Sequence, residues 1–275
     1  WAYKSIEKQR IYMNEIISFY NSYAEDDRLK IRRSRILERI TTLNYINKYV
    51  NKNFIVADIG AGTGVYTFEL AGKVESVFAV DLVQEHVDEI NDKARISNIN
   101  NVNAICESAI SLKSIESDSY DMVLCLGPMY HIKEKSERLQ CINECKRISK
   151  KNGVIFIAYI NKVLAMNYFV KNKKYLNKQI YEEIELGKTI SQKGFDQFLD
   201  ISFFTDPSEI EEEALLCELK IEKNLGTDGI SYFIQDQIED MNNEQWDVFV
   251  RMHERHCEDK NSFGMSMHGL VICRK

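Results

Sequence analysis

The sequence predicts an α/β protein. Its mostly parallel, doubly wound sheet of seven strands is preceded by N-terminal helices and interrupted by a helical cap insertion. Three observations carry this reading. Short apolar runs alternate with helical periodicity from Phe54 to Ile160, the pattern of a parallel sheet covered on both faces. A glycine-rich turn, Asp58-Ile59-Gly60-Ala61-Gly62-Thr63-Gly64, ends the first apolar run and opens a helix. Residues 161–215 then break the rhythm with text rich in Lys, Asn, Tyr and Glu.

The elements follow in order. Met13, Ile16, Ile17 and Tyr20 repeat at helical spacing, and Ile36, Ile40 and Leu43 mark a second helix over Arg28 to Val50. Strands are expected at Phe54–Ile59, Val77–Val80, Val102–Cys106, Tyr120–Leu126 and Val154–Ile160, with helices at Gly64–Ala71, Gln84–Ser97 and Lys133–Ser149 between them. Lys150-Lys151-Asn152-Gly153 is a helix stop. Glu218–Leu225 and Met265–Arg274 read as the closing pair of strands around a helix over Asn243–Glu258. The expected organisation is a helical lid over 1–50, a ligand-binding domain from 51–160 and 216–275, and the inserted cap over 161–215.

A chain of 275 residues with 44% hydrophobic residues can bury a sizeable core. The net charge of −6 argues against a non-specific nucleic-acid binder, which carries a basic surface. No apolar run approaches the ~20 residues of a membrane helix. Trp1 to Arg10 has no apolar signal core, so no secretory leader is expected there. The seven cysteines are odd in number and form no disulfide framework, which points to a reducing cytoplasm.

The glycine turn carries the chemistry. Glycines let a ligand approach the backbone with no Cβ in the way. A dinucleotide fingerprint reads G-x-G-x-x-G, with pyrophosphate on a helix N-terminus. Here the pattern is acidic-x-G-x-G-x-G, and Asp58 before the glycines suits a ligand bearing an ammonium group. Asp81 ends the second strand about 20 residues on, where a carboxylate accepts hydrogen bonds from both ribose hydroxyls. The structural alternative is a tight turn with Asp81 as a helix cap.

These residues resemble the class I methyltransferase pattern. The resemblance implies a Rossmann-like fold and S-adenosylmethionine as cofactor. It assigns Asp58, Gly60, Ala61, Gly62 and Gly64 to the methionine part, Asp81 to the ribose, and Leu82 to the adenine. Ser108-Ala109 stands where the family has an Asp-Ala pair at the adenine edge, and Leu126, closing the fourth strand, completes the implied cofactor-binding set. Gly127-Pro128-Met129-Tyr130-His131 is similar to a motif of a bacterial subgroup grouped with small-molecule methyltransferases. The N-terminal helices and Ser266-Met267-His268 extend that likeness over most of the chain.

The implied reaction moves a methyl group to a small-molecule N, O or S nucleophile. His131 is the candidate general base and Tyr130 a candidate orienting group. Tyr20, Tyr23, Arg28, Glu38 and Met129 are candidates for the acceptor pocket. A helix-start role for His131, and solvated faces or packing for the N-terminal residues, are the alternatives. No metal is expected: His253, His256 and Cys257 match no zinc spacing, and Cys141 and Cys145 read as packing. Arg28, Lys30, Arg32, Arg33, Arg35 and Arg39 form a basic cluster that keeps open a second reading, an RNA or protein methyltransferase. A non-catalytic cofactor-binding module and an NAD-dependent oxidoreductase are the remaining alternatives. Oligomeric state is not legible.

Overall fold

The computed structural model describes residues 2–22, 31–188 and 197–275, the side chains of 2–10 and 22 excepted. Seven strands form one sheet in the order β3-β2-β1-β4-β5-β7-β6. They are β1 Ile55–Ile59, β2 Ser76–Asp81, β3 Val102–Cys106, β4 Tyr120–Cys125, β5 Ser149–Ile160, β6 Lys220–Gly226 and β7 His268–Arg274. The first five run parallel, and β7 lies antiparallel between β5 and β6. The sheet is the seven-stranded, mostly parallel one expected from the alternation. The reversed β7 has no signature in the apolar pattern.

Both faces are covered. Along β1, Val56 joins one core while its neighbour Ala57 joins the other, as the two-residue period requires. The first core receives α2 (Arg33–Asn47) through Tyr45 and Ile46, α3 (Val65–Ala71) through Leu70, and α4 (Gln84–Ile96) through Val87 and Ile90. The second receives α5 (Lys135–Ile148) through Cys141, Ile142, Cys145 and Ile148.

The insertion after β5 holds α6 (Lys162–Lys171), α7 (Lys178–Glu185) and α8 (Gln197–Asp200). Ala165, Phe169, Ile180, Ile184, Leu199 and Phe204 give it a small core, joined to the sheet through Ile160. The next helix, α9 (Pro207–Leu216), falls in the stretch read as cap. It packs Ile210 and Ala214 into the second sheet core and so serves as the crossover helix into β6. Beyond β6 lie α10 (Gln235–Glu239), α11 (Asn243–His256) and α12 (Lys260–Phe263). The helix α1 (Ala2–Ser22) buries Ile16 and Phe19 against Ile201, near Leu82 and Phe198.

One buried ion pair ties these layers together. Arg138 on α5 and Glu213 on α9 are 6% and 3% exposed. Arg138 Nε donates to both carboxylate oxygens at 3.0 and 3.1 Å, and Nη2 to Oε1 at 2.6 Å. Its Nη1 donates to the carbonyls of Ile132 and Lys133 at 3.1 and 3.0 Å, and its guanidinium stacks on Phe203. Removing one partner leaves a buried charge uncompensated, which costs more than the pair contributes. Urea denaturation of Arg138→Ala or Glu213→Ala should therefore show a loss of about 3–5 kcal/mol. The charge-free double variant Arg138→Met with Glu213→Leu should recover most of it.

Candidate functional site

The strand order reverses between β1 and β4. In open α/β sheets, ligands bind at the carboxyl ends of the strands at such a point. A cleft of about 920 Å³, including its solvent-open part, lies there. Gly60 and Gly62 of the β1 turn, Asp81 and Leu82 after β2, Ser108 and Ala109 after β3, and Tyr130 and His131 after β4 line it. Tyr12, Met13, Ile16 and Tyr20 of α1 complete the wall.

The β1 turn is built on close backbone approach. Gly60 has φ +74°, and a Cβ there would sit 2.5 Å from Pro128 Cδ. A Cβ on Gly127 would sit 2.9 Å from the Gly60 carbonyl oxygen. Both positions therefore need glycine. The turn is fastened to β2: Gly60 and Ala61 N–H donate to the Val80 carbonyl at 2.7 and 3.0 Å, and Gly62 N–H donates to Asp81 Oδ2 at 2.8 Å. Asp81 Oδ1 accepts from Val83 N–H at 2.9 Å and lies 3.2 Å from His86 Nδ1. Each carboxylate oxygen offers about two acceptor sites, so Asp81 can hold the turn and still accept from a vicinal diol. A glycine cradle beside a diol-accepting carboxylate fits an adenosyl cofactor.

Asp58 does not line the cleft. It is buried behind the turn and accepts from Thr67 Oγ1 at 2.7 Å. Burial raises its carboxyl to about 6, opposed by the Thr67 bond and helped by the charge of Asp81. Ala61 and Leu126 also stay out of the wall and pack with the first core, while Gly64 caps α3. Met129 turns inward with the second core, where it lines a small neighbouring hollow beside Arg138 and Glu213. The tight 3₁₀ turn over Pro128–His131 separates it from Tyr130 and His131, which face the cleft.

Glu38 is a correction. It sits on the α2 face that Leu37, Tyr45 and Ile46 drive into the protein. There Glu38 Oε2 lies 3.7 Å from His268 Nδ1, which is 2.6 Å from Asp228 Oδ2, and none of the three lines the cleft. Tyr23 and Arg28 lie outside the described residues. Arg33 and Arg39 of the basic cluster are spent internally, on the Ile238 and Met241 carbonyls and on Glu69. Cys125, Cys141 and Cys145 converge within 4.8 Å inside the second core, consistent with packing.

His131 sits in a defined hydrogen-bond chain. Its Nδ1 is 2.9 Å from the Ile201 carbonyl, which can only accept, so Nδ1 carries the proton. In the neutral ring Nε2 is then the acceptor, and Tyr20 Oη–H donates to it at 2.6 Å. The Ile201 carbonyl also accepts from Tyr12 Oη–H at 2.7 Å, and Phe203 N–H donates to the Tyr130 carbonyl at 2.7 Å. Burial, then Glu15 and Glu137, push the Tyr12 hydroxyl well above the ordinary phenol range. Tyr20, a candidate from the sequence, lines the cleft, as do Tyr12, His86, Glu107 and Glu137, which sequence reasoning did not single out. Only tertiary packing brings these four there.

Residues 56–153, about a third of the chain, match the family model described as a methyltransferase domain. That stretch, from β1 into β5, is what the chain shares with methyltransferase domains. Among curated relatives, the ubiquinone biosynthesis O-methyltransferase of Neisseria meningitidis is 23% identical, over 56% of this chain and 69% of its own length. An uncharacterized methyltransferase of Schizosaccharomyces pombe is 28% identical, over 42% of each chain. The matches thus cover from 42% to 69% of these relatives' lengths. Among solved structures, a SAM-dependent methyltransferase of Methanosarcina mazei has a TM-score of 0.59 at 16% identity, covering 84% of this chain and 96% of that one. One from Thermotoga maritima, described as a possible histamine N-methyltransferase, has a TM-score of 0.58 at 12% identity, covering 95% and 99%. At these identities the likeness shows the fold. No helix among the described residues is long and apolar enough to cross a membrane.

The buried Asp58 has a measurable signature. Between its unfolded value of about 3.9 and its folded value of about 6, the unfolded chain has released a proton that the folded chain retains. Its contribution to stability is therefore greatest below pH ~4 and declines as pH rises towards ~6, by about 3 kcal/mol in all. Asp58→Asn should remove this decline. Urea midpoints of the two proteins between pH 4 and 7 should converge at the acid end and diverge towards neutrality.

Proposed function

We propose that the protein transfers the methyl group of S-adenosylmethionine to a small-molecule nucleophile in the cleft between the β-strand ends and α1. The carrying observation is Asp81, whose carboxylate faces the cleft at the end of β2 while fixing the glycine turn through Gly62. The cofactor, when bound, supplies an electrophilic methyl on a sulfonium, open to in-line displacement. The chain supplies position and a dry site. In this reading Asp81 holds the ribose hydroxyls. Leu82, Ser108 and Ala109 surround the adenine, and Gly60 and Gly62 let the methionine part lie against the backbone.

Tyr20 and His131 form the proton-accepting pair. His131 Nε2 is the free base of the neutral ring, and Tyr20 is the group in contact with it. An acceptor proton taken up by the Tyr20 oxygen is matched by the Tyr20 proton passing to Nε2. His131 keeps Nδ1–H on the Ile201 carbonyl throughout. Tyr130 stacks edge-on against His131, with ring centroids 4.8 Å apart, and shapes the wall beside it. The Gly-Pro-Met-Tyr-His turn supports placing the chain in the small-molecule subgroup it resembles. The internal pairing of Arg33 and Arg39 removes part of the support for an RNA substrate. Seven free cysteines, six of them buried, suit a reducing compartment such as the cytoplasm.

Calorimetric titration tests the cofactor reading. S-adenosylmethionine and S-adenosylhomocysteine should bind, and NAD should not. Asp81→Ala should weaken both adenosyl ligands at least tenfold, the loss expected for a hydrogen bond to a charged group (about 1.5–3 kcal/mol). A folded wild-type protein that binds neither would overturn the reading. Tyr20→Phe should retain S-adenosylhomocysteine binding, and its turnover of an identified acceptor should fall about 10²-fold, the lower range for a lost general base.

A further inference from the structure

We propose that His86 is a positioning residue that couples the two halves of the cleft. It holds the Asp81 carboxylate through Nδ1 and meets the Tyr20 ring edge-on, so that filling the ribose subsite also orders the proton-accepting pair. This rests on the reading of the cleft as the methyl-transfer site and adds a residue through which its parts communicate.

His86 is the third residue of α4, inside its first turn, and is 6% exposed. Its Nδ1 lies 3.2 Å from Asp81 Oδ1, and a carboxylate only accepts, so Nδ1 carries a proton in this contact. Val83 N–H meets the same oxygen at 2.9 Å, and Gly62 N–H meets Oδ2 at 2.8 Å. These three donors fix the plane of the carboxylate that faces the cleft. Val83 and Gly62 give main-chain donors, which any residue but proline supplies. His86 gives a side-chain donor, so residue type matters there.

The same imidazole reaches α1. The His86 and Tyr20 ring centroids are 5.8 Å apart at 76°, an edge-to-face pair. Tyr20 meets the His131 ring in the same way, at 5.3 Å and 86°, and donates to its Nε2. Next to Tyr20, the Asn21 amide donates to Glu85, the neighbour of His86 in the first turn of α4. A continuous line of contacts thus runs from Asp81 through His86 and Tyr20 to His131.

Hydrogen bonds from a bound ribose restrict the Asp81 carboxylate, and with it the imidazole that donates to Asp81. A restricted imidazole in turn narrows the positions open to the Tyr20 ring. Order imposed at one end lowers the entropy still to be lost at the other, which couples the two without a change of fold. By linkage the coupling runs both ways, so an acceptor seated against Tyr20 tightens the hold on the cofactor.

Two substitutions separate the contacts. His86→Asn keeps an N–H donor for Asp81 and removes the ring, whereas His86→Phe keeps a ring and removes the donor. Calorimetry with S-adenosylhomocysteine should find His86→Asn within about threefold of wild type and His86→Phe weakened about tenfold, the loss of a hydrogen bond to a charged group. Amide hydrogen exchange over Tyr12 to Tyr20, followed by mass spectrometry with and without saturating S-adenosylhomocysteine, reads the coupling. The ligand should slow exchange there in the wild type and leave it unchanged in both variants, because each breaks the line at one contact. Retained binding shows that His86→Asn is folded, so this variant decides the matter whatever the stability of His86→Phe. The proposal is overturned if the ligand leaves α1 exchange unchanged in the wild type, if His86→Asn keeps the full slowing, or if His86→Asn loses binding. Failure of S-adenosylhomocysteine to bind the wild type would overturn the underlying reading of the cleft instead.

Discussion

The contact between the β1 and β4 turns is the constraint on which the site depends. Gly60 and the Gly127-Pro128 pair approach so closely that neither glycine has room for a Cβ. The two strand ends are neighbours in the sheet but distant in sequence. Their contact sets the floor of the cleft and the entry of the chain into the Pro128–His131 turn. Everything the turn presents, Tyr130 and His131 above all, inherits its position from this approach. The β2 end is drawn into the same unit because Gly60, Ala61 and Gly62 all donate to Val80 or Asp81. Three strand ends thus form one unit, β1 joined to β2 by hydrogen bonds and to β4 by close packing, and the site lies where they meet.

A second layer holds the turn from the far side. The segment around Ile201 to Phe203 meets it through Phe203 N–H on Tyr130 and the Ile201 carbonyl on His131. Arg138 closes the arrangement by capping the carbonyls of Ile132 and Lys133 while paired with Glu213. The insertion after β5 is therefore structural support for the turn. Its small core, built on Phe169 and Phe204, keeps that support in place.

The sheet was legible because each strand ends in an unmistakable signal, such as glycines after Ile59, Asp81 after Val80 or Gly127-Pro128 after Leu126. Asp81, Gly60, Gly62, His131 and Tyr20 could be singled out because residue type and chain position agreed. Asp58 was harder. Its place in the motif is plain, yet its carboxylate turns behind the loop to Thr67, a rotation no spacing encodes. Glu38 was misplaced because helical periodicity gives a face and not the neighbour that face meets. Leu37 beside it carried the whole stripe into the interior. Glu137 and Tyr12 were missed for the converse reason. Each sits on a polar or mixed helical stretch and becomes part of the cleft only when α1 and α5 converge. The Pro207–Leu216 helix read as cap because Glu211 to Glu213 resemble the charged text before it, although its Ile210 and Ala214 belong to the sheet.

The Ile201 carbonyl, finally, is an acceptor that no substitution can delete. Its two donors, Tyr12 and His131, bring α1 and the β4 turn together on a main-chain oxygen. Every amino acid supplies that oxygen, so drift of the residue type at this position leaves the imidazole tautomer intact, provided the side chain still fits its buried seat. The tautomer of the neutral ring is thus set by where the backbone runs. Only a shift of the chain path, such as an insertion or deletion nearby, would change it. Comparison of related sequences residue by residue would pass over the position entirely, and one that tracks segment length would detect it.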